Sequence, residues 1–368
     1  MPAILSVHCL NPPYRVSQEE VINTVKELFD KDYADLERYL KVFENSHIQE
    51  RYFSVPLEWF KQERSFQEKN DRYISEALRL GVEVVEQCLT DRRFLKRNVT
   101  VDEIDAILFI SSSGLSTPTI EARMMNRLPF SPYTVRLPIW GLGCAGGAAG
   151  LARAYDYCLA HPEQSVLVLS VELCSLTFQR RDKSKSNLVG TSLFADGTAC
   201  VLVAGDQSPL LDRCAMPTVP WIIGTQSALM PDSENVMGWD IKNEGFYVVF
   251  AKSIPLVIKD WLRPMIERFL KRYQLKLEQC QHLIVHPGGW KVLEAYSVAL
   301  NFPMSKFGAA QQVLKNYGNM SSATVLFVLE RILRQEPRAG DYGLITALGP
   351  GFSSELVLVQ WQEGMRTP

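Results

Sequence analysis

The sequence has no C-x-x-C pair among its eight cysteines, no apolar run as long as a bilayer is thick, and almost no net charge. Unpaired spacing of Cys9, Cys88, Cys144, Cys158, Cys174, Cys200, Cys214 and Cys280 argues against a zinc ribbon or a dithiol redox motif. The apolar stretch from Ser165 to Phe178 is broken by Glu172 and falls short of the roughly 20 residues a spanning helix needs. With 39 basic and 41 acidic residues the formal charge is -2, which leaves no electrostatic footprint for nucleic acid. The N-terminal MPAILSVHCLNPPYRVS lacks a basic segment followed by a long apolar one, so no secretory signal is expected. A soluble cytoplasmic protein with reduced thiols and no stable membrane insertion is the expectation.

What is present is ordinary globular composition, 46% hydrophobic and 22% charged, over 368 residues, a length that suits two units. Residues 17 to 96 read as helical. Ser17 and Glu20 have capping-box spacing, Val21, Ile22, Val25, Leu28 and Phe29 follow a helical stripe, and NDRYISEALRLGVEVVEQCL repeats the pattern. Short apolar runs then read as strands buried on both faces, near residues 106–110, 165–171, 199–204, 282–286, 342–348 and 355–361. Between them, 254–273 and 321–334 read as helices; Ser253 could cap the first, Pro255 suits its first turn, and Pro264 should kink it. Strands alternating with long helices predict an α/β fold. Two segments rhyme, DAILFISSS and QHLIVHPGG, each an apolar run closed by small residues. The expected division is 1–213 and 214–368, with the proline-containing 207–220 at the junction.

Four segments carry chemistry-bearing residues on loops of small side chains. In PIWGLGCAGGAAG, Cys144 stands before a helical stretch, where N-terminal N–H groups and the helix dipole favour a thiolate. By residue type alone a buried structural thiol is the commoner job; the glycines at 143, 146 and 147 argue against it here. His286 ends an apolar strand and is followed by Pro-Gly-Gly, a setting that suits an imidazole facing a cleft; taken alone, a satisfied core histidine is the commoner job. Asn319 lies in KNYGNMSSATVLF, where a plain turn or cap role is the alternative. Gly349, Pro350 and Gly351 form a rigid turn. A thiol, an imidazole and an amide N–H together suffice for thioester chemistry.

These segments resemble the type III polyketide synthases, the chalcone synthase superfamily on the thiolase fold. GLGCAGG, LVGTSLFADG, VHPGG, YGNMSSA and GPGFSSE occur in family order along the whole chain. STPTIEARMMN, FSPYT, ELCSLTF and NVMGWD are similar to Bacillus-type alkylpyrone synthases. The resemblance implies two similar halves in a layered αβαβα arrangement, the first carrying the nucleophile and the second the His and Asn. It implies a catalytic triad of Cys144, His286 and Asn319, with Phe194 as gatekeeper between a CoA tunnel and a cavity. Ser112, Ser113, Cys174 and Thr177 fall at cavity-lining positions, and Gly349, Pro350 and Gly351 at a cavity-shaping loop. Cys174 replaces the threonine usual in plant members. Val248 stands where those members have a second gatekeeper phenylalanine, a change that widens the cavity for a long flexible starter. Arg38 and Lys41 match basic CoA contacts, whereas a third such position is Asn45.

The implied activity is condensation of malonyl-CoA onto an acyl-CoA starter held on Cys144, with cyclisation to alkylpyrones. The implied assembly is a homodimer that uses no cofactor, metal or carrier protein. Two other readings use the same residues: a 3-oxoacyl-carrier-protein synthase III-like enzyme, which takes malonyl from a carrier protein, and an acyl-CoA cysteine hydrolase, which needs no malonyl-CoA.

Overall fold

The computed structural model describes residues 1–29 and 36–364, without the side chains of Leu36 and Arg38. The first half of the chain runs β1 (Ala3–Leu10), β2 (Tyr14–Ser17), α1 (Gln18–Phe29), α2 (Leu36–Glu44), β3 (Glu50–Phe53), α3 (Glu58–Lys61), α4 (Phe66–Thr90), β4 (Ala106–Ile110), α5 (Ile120–Met124), β5 (Val135–Ile139), α6 (Gly146–Ala160), β6 (Ser165–Leu173), α7 (Lys185–Leu193) and β7 (Asp196–Ala204). The second runs β8 (Thr218–Leu229), β9 (Met237–Lys242), β10 (Gly245–Phe250), α8 (Ile254–Lys271), β11 (Cys280–Val285), α9 (Trp290–Leu300), α10 (Gly308–Tyr317), α11 (Thr324–Leu333), β12 (Tyr342–Gly349) and β13 (Ser353–Glu363).

The apolar runs predicted as two-sided strands form the middle of a nine-stranded mixed sheet, ordered β11-β12-β13-β8-β1-β7-β6-β4-β5. Every residue of β4, β6 and β7 is buried. The pairs β4–β5, β4–β6 and β11–β12 are parallel, and the rest antiparallel. The halves of the sheet meet where β1 pairs with β8 at Ala3 and Trp221. Helices α6 and α11 lie between them: α6 packs on β4 and β6 on one side and on β8, β12 and β13 on the other, and α11 reaches β1, β7, β11 and β12. Outside, α4 packs on β1, β6 and β7, and α8 with α9 forms the opposite outer layer. This is the expected αβαβα layering.

Two local expectations need correction. The stretch 17–96 is not all helix: β3 interrupts it and pairs with β2, Tyr14 opposite Phe53 and Ser17 opposite Glu50. The period-two burial of β3 puts Arg51 and Phe53 inward, and a buried arginine disguises a strand. Arg51 donates to the carbonyls of Thr191 and Phe194, both at 2.7 Å, and to Gln18 Oε1 at 2.7 Å, so this guanidinium pins the backbone at Phe194. Ser253 makes no side-chain cap, because its backbone is already helical at φ -77° and ψ -11°. Pro264 sits inside α8, which runs as one element from Ile254 to Lys271. The capping box at Ser17 and Glu20 is present, with Ser17 N donating to Glu20 Oε2 at 2.7 Å and Glu20 N to Ser17 Oγ at 3.2 Å.

Candidate active site

Cys144 occupies a 3-10 turn, Gly143–Ala145, that runs directly into α6. Two glycines make the turn possible. Gly143 has φ +47°, and a Cβ there would lie 2.8 Å from Pro350 Cδ. A Cβ on Gly147 would lie 2.2 Å from the Ser322 carbonyl oxygen. The missing side chains let the start of α6 press against the turn Ser321–Ala323 that leads into α11. Two helix N-termini therefore converge beside the thiol.

Asn319 precedes that second turn. Its backbone is stitched to the end of α7: Asn319 N donates to Leu193 O at 2.8 Å, and Ala195 N to Asn319 O at 2.9 Å. Its amide orientation is fixed by main-chain partners. Ser321 N donates to Oδ1 at 2.9 Å, and Nδ2 donates to Gly288 O at 3.1 Å. Oδ1 lies 4.0 Å from Cys144 Sγ, and the amide nitrogen has a second N–H to offer. His286 follows β11, its backbone N–H bonded to Thr346 O at 2.9 Å. Its ring is buried, with no hydrogen-bond partner among the described residues for Nδ1 or Nε2. Nε2 faces Gly288, 3.4 Å from where a Cβ would stand, the same residue that anchors the Asn319 amide. The structure thus brings the thiol, the amide and the imidazole together.

Burial dominates the electrostatics. It pushes the Cys144 thiol up to about 12; Ser321 and Asn319 pull it down, and the nearby Glu172 carboxylate raises it further. Burial pushes His286 down to about 3. Burial thus disfavours the charged form of both groups. Glu172 is fully buried and its carboxyl is raised by that burial, against hydrogen bonds from Ser322, Ser112 and Ser113. Ser322 Oγ donates to Oε1, Ser112 N to Oε2 at 3.0 Å and Ser113 Oγ to Oε2 at 2.9 Å.

Ser112 Oγ accepts from Gly143 N at 3.0 Å and so braces the turn that carries Cys144. Ser113 Oγ accepts from Leu173 N at 2.8 Å, at the end of β6 before Cys174, and Ser113 lines a small pocket with Phe66, Leu176 and Phe246. Gly349 and Pro350 also support that turn: a Cβ on Gly349 would lie 2.4 Å from Leu142 O. Gly351 O accepts from Ser233 Oγ at 2.7 Å.

Phe194, Cys174, Thr177 and Val248 line one pocket with about 580 Å³ of empty space. Cys174 is close enough to Cys144 to feel its charge, and Phe194 is tied to Asn319 through the backbone, so the pocket begins beside the triad. Its other walls come from α1, from Phe53, Leu57 and Phe60, and from α7. Lys41 is exposed on α2, which packs on α7, the helix that ends at Phe194. The Arg38 side chain lies outside the described residues.

Sequence reasoning missed three residues here. Trp239, on β9, tilts against Phe194 with ring centroids 5.6 Å apart and lines the pocket. Glu172 carried a signal, as the one charge in an otherwise apolar strand. Ser321 holds φ +47°, an unusual conformation for a non-glycine residue, and its side chain pulls the Cys144 thiol down against burial.

A buried thiol at a helix N-terminus, with a buried imidazole and an oriented amide in a five-layer αβαβα fold, fits thioester chemistry of the thiolase type. The family model "Chalcone and stilbene synthases, N-terminal domain" matches residues 2–207, and the corresponding C-terminal domain matches 222–361. A Bacillus subtilis (strain 168) protein provisionally named a chalcone synthase is 47% identical over 99% of this chain and 100% of its own length. The 1,3,6,8-tetrahydroxynaphthalene synthase of Streptomyces peucetius subsp. caesius is 34% identical over 98% of this chain and 93% of its own. The crystal structure of the bacterial type III polyketide synthase of that activity from Streptomyces coelicolor A3(2) superposes with a TM-score of 0.89 at 28% identity, covering 98% of this chain and 99% of that one. The chain belongs to the chalcone and stilbene synthase family and is a bacterial type III polyketide synthase, an acyltransferase that works on CoA thioesters such as malonyl-CoA.

Proposed function

We propose that the protein loads a long-chain fatty acyl group from CoA onto Cys144, extends it with malonyl-CoA and releases alkylpyrones. The character of the pocket beside Cys144 carries this reading. Its polar wall groups are already bonded within the chain. Thr24 donates to Glu20 O at 2.9 Å, Thr177 to Cys174 O at 2.7 Å and Thr191 to Asn187 O at 2.7 Å. Asn187 Nδ2 is held by Gln179 O at 2.8 Å and Asp182 O at 2.7 Å. What remains facing the space is aliphatic and aromatic, a surface for an alkyl chain. Val248, in place of a larger ring, leaves room beside Phe194. Purified protein, palmitoyl-CoA and malonyl-CoA, without carrier protein, should give alkylpyrone masses. Free fatty acid alone would indicate a hydrolase. A requirement for malonyl on a carrier protein would indicate a fatty-acid-type condensing enzyme.

In this scheme His286 takes the Cys144 proton as the thiolate attacks the starter carbonyl. The C–S bond to CoA breaks and CoA leaves as its thiolate, taking a proton from solvent, so the His286 imidazolium keeps the Cys144 proton. Malonyl-CoA then loses CO2, and His286 Nε2–H and the second Asn319 Nδ2–H hold the oxygen of the resulting enolate. The enolate carbon attacks the Cys144 thioester and frees the thiolate, lengthening the chain by two carbons. Phe194 and Trp239 keep water from the carbanion. A later enol oxygen attacks the terminal thioester carbonyl, closing the pyrone and releasing the thiol. No step is routed through a metal or organic cofactor. CoA phosphates would meet Lys41 and Arg38 on α2, in a cytoplasmic setting.

Loss of one such donor typically costs 10²–10³-fold in rate. Asn319→Ala should therefore slow conversion of malonyl-CoA to acetyl-CoA by about that factor while acyl loading falls less. Wild-type decarboxylation in the variant would remove Asn319 from the role.

The exposed apolar residues on and around β5 support a second copy of this chain as its cover. β5 is the last strand of the sheet, and Val135 and Leu137 on it are exposed, as are the flanking Tyr133 and Trp140. A bare apolar edge calls for cover. The wild type should run as a dimer in light scattering and Leu137→Lys as a monomer; a monomeric wild type would contradict the assignment.

A further inference from the structure

We propose that the ring pair Phe60–Phe178 is the end stop that sets how long an acyl chain the pocket accepts, an inference that rests on the acyl-pocket reading above. Those two rings are walls of two different spaces. On one side is the apolar pocket that begins at Phe194 and Cys174 and runs beneath Val21, Val25 and Leu28 of α1. On the other is a surface basin of about 950 Å³, walled among others by Arg64, Lys69, Arg180 and Arg181. The rings meet edge to face, with centroids 5.8 Å apart and planes at 89°.

Neither ring is free to swing aside. Phe60 is buttressed by Phe53 at 5.8 Å and Phe178 by Phe29 at 6.1 Å, both edge to face. Both rings pack against a small hydrophobic cluster of α1, α2 and β3 that is separate from the main core. Lys69 Nζ donates to Phe178 O at 3.1 Å and to Gln179 Oε1 at 3.0 Å, which fixes the backbone behind the ring. The partition therefore divides an apolar space from a charged, wet one. A methylene buried inside it gains about 0.8 kcal/mol, roughly fourfold in affinity, whereas one pushed into the basin gains little. Acyl loading should climb with chain length until the tail meets the rings, and then stop climbing.

The test is the rate of Cys144 loading by acyl-CoA of graded length, read as the mass increment of intact protein, with no malonyl-CoA needed. Rates are compared as long-to-short ratios within each protein, so a general loss of activity cancels. In the wild type the ratio should rise about fourfold per methylene and then level off. Phe60→Ala and Phe178→Ala should move the break to longer chains, and Leu28→Trp, which fills the pocket, should move it to shorter ones. A break at the same length in all the proteins, or loading independent of length, would overturn the proposal. If the break moves but malonyl-CoA never yields a polyketide, the end stop stands and the polyketide product reading falls.

Discussion

Replacing Cys144 with alanine should abolish acyl loading and reduce polyketide formation by on the order of 10⁴-fold or more, the scale on which removal of a catalytic nucleophile acts. The position tolerates the change structurally. Cys144 is buried between Gly143 and Ala145, and its neighbours are held by other bonds, Gly143 N to Ser112 Oγ and Ser321 N to Asn319 Oδ1. The second part of the expectation is more discriminating. His286 and the Asn319 amide are anchored independently of the thiol, through Thr346 and Gly288. The alanine variant should therefore still convert malonyl-CoA to acetyl-CoA. Intact-protein mass and CoA-product analysis read both halves. A polyketide from the variant would place the nucleophile on another residue.

His286→Gln should strip Cys144 of its reactivity at neutral pH. With the thiol pushed up to about 12 by burial, the thiolate fraction at pH 7 without the imidazole is roughly 10⁻⁵. Burial pushes the imidazole down to about 3; in the proposed pair it accepts the proton because the thiolate forms beside it. Alkylation of Cys144 by iodoacetamide should then be nearly flat with pH around neutrality in the wild type. In His286→Gln it should be slower by a factor of about 10³ or more, rising about tenfold per pH unit toward pH 12. The ring nitrogens of His286 have no hydrogen-bond partner among the described residues, so glutamine breaks none of the bonds seen there. Peptide mapping separates Cys144 from the other seven cysteines. Equal, flat reactivity in both proteins would dissolve the proposed pair.

Much of this site is legible in the sequence because its parts sit on loops of small residues. The glycines around Cys144, the Pro-Gly-Gly after His286 and the Gly before Asn319 each mark a backbone that must come close to something. The two-sided strands were equally plain, since β4, β6 and β7 are buried along their whole length. What was hidden depends on contacts between distant segments. Arg51 masks β3 because its charge is answered by carbonyls some 140 residues away. The bonds that Ser112 and Ser113 make to Glu172 on β6 join segments some 60 residues apart, which no local pattern reveals. The stripe Val21, Val25 and Leu28 on α1 reads as ordinary core-facing periodicity, yet it roofs the pocket beside Phe194. Periodicity says that a face is covered; it does not say whether side chains or a substrate cover it.

The most direct test of the account is a chase from the loaded enzyme. Protein incubated with palmitoyl-CoA and freed of excess should carry one acyl group, mapped to Cys144. Malonyl-CoA added alone should then discharge that mass and release an alkylpyrone containing the original acyl carbons. Discharge to free palmitate, or an acyl-enzyme that malonyl-CoA leaves untouched, would contradict decarboxylative extension on Cys144.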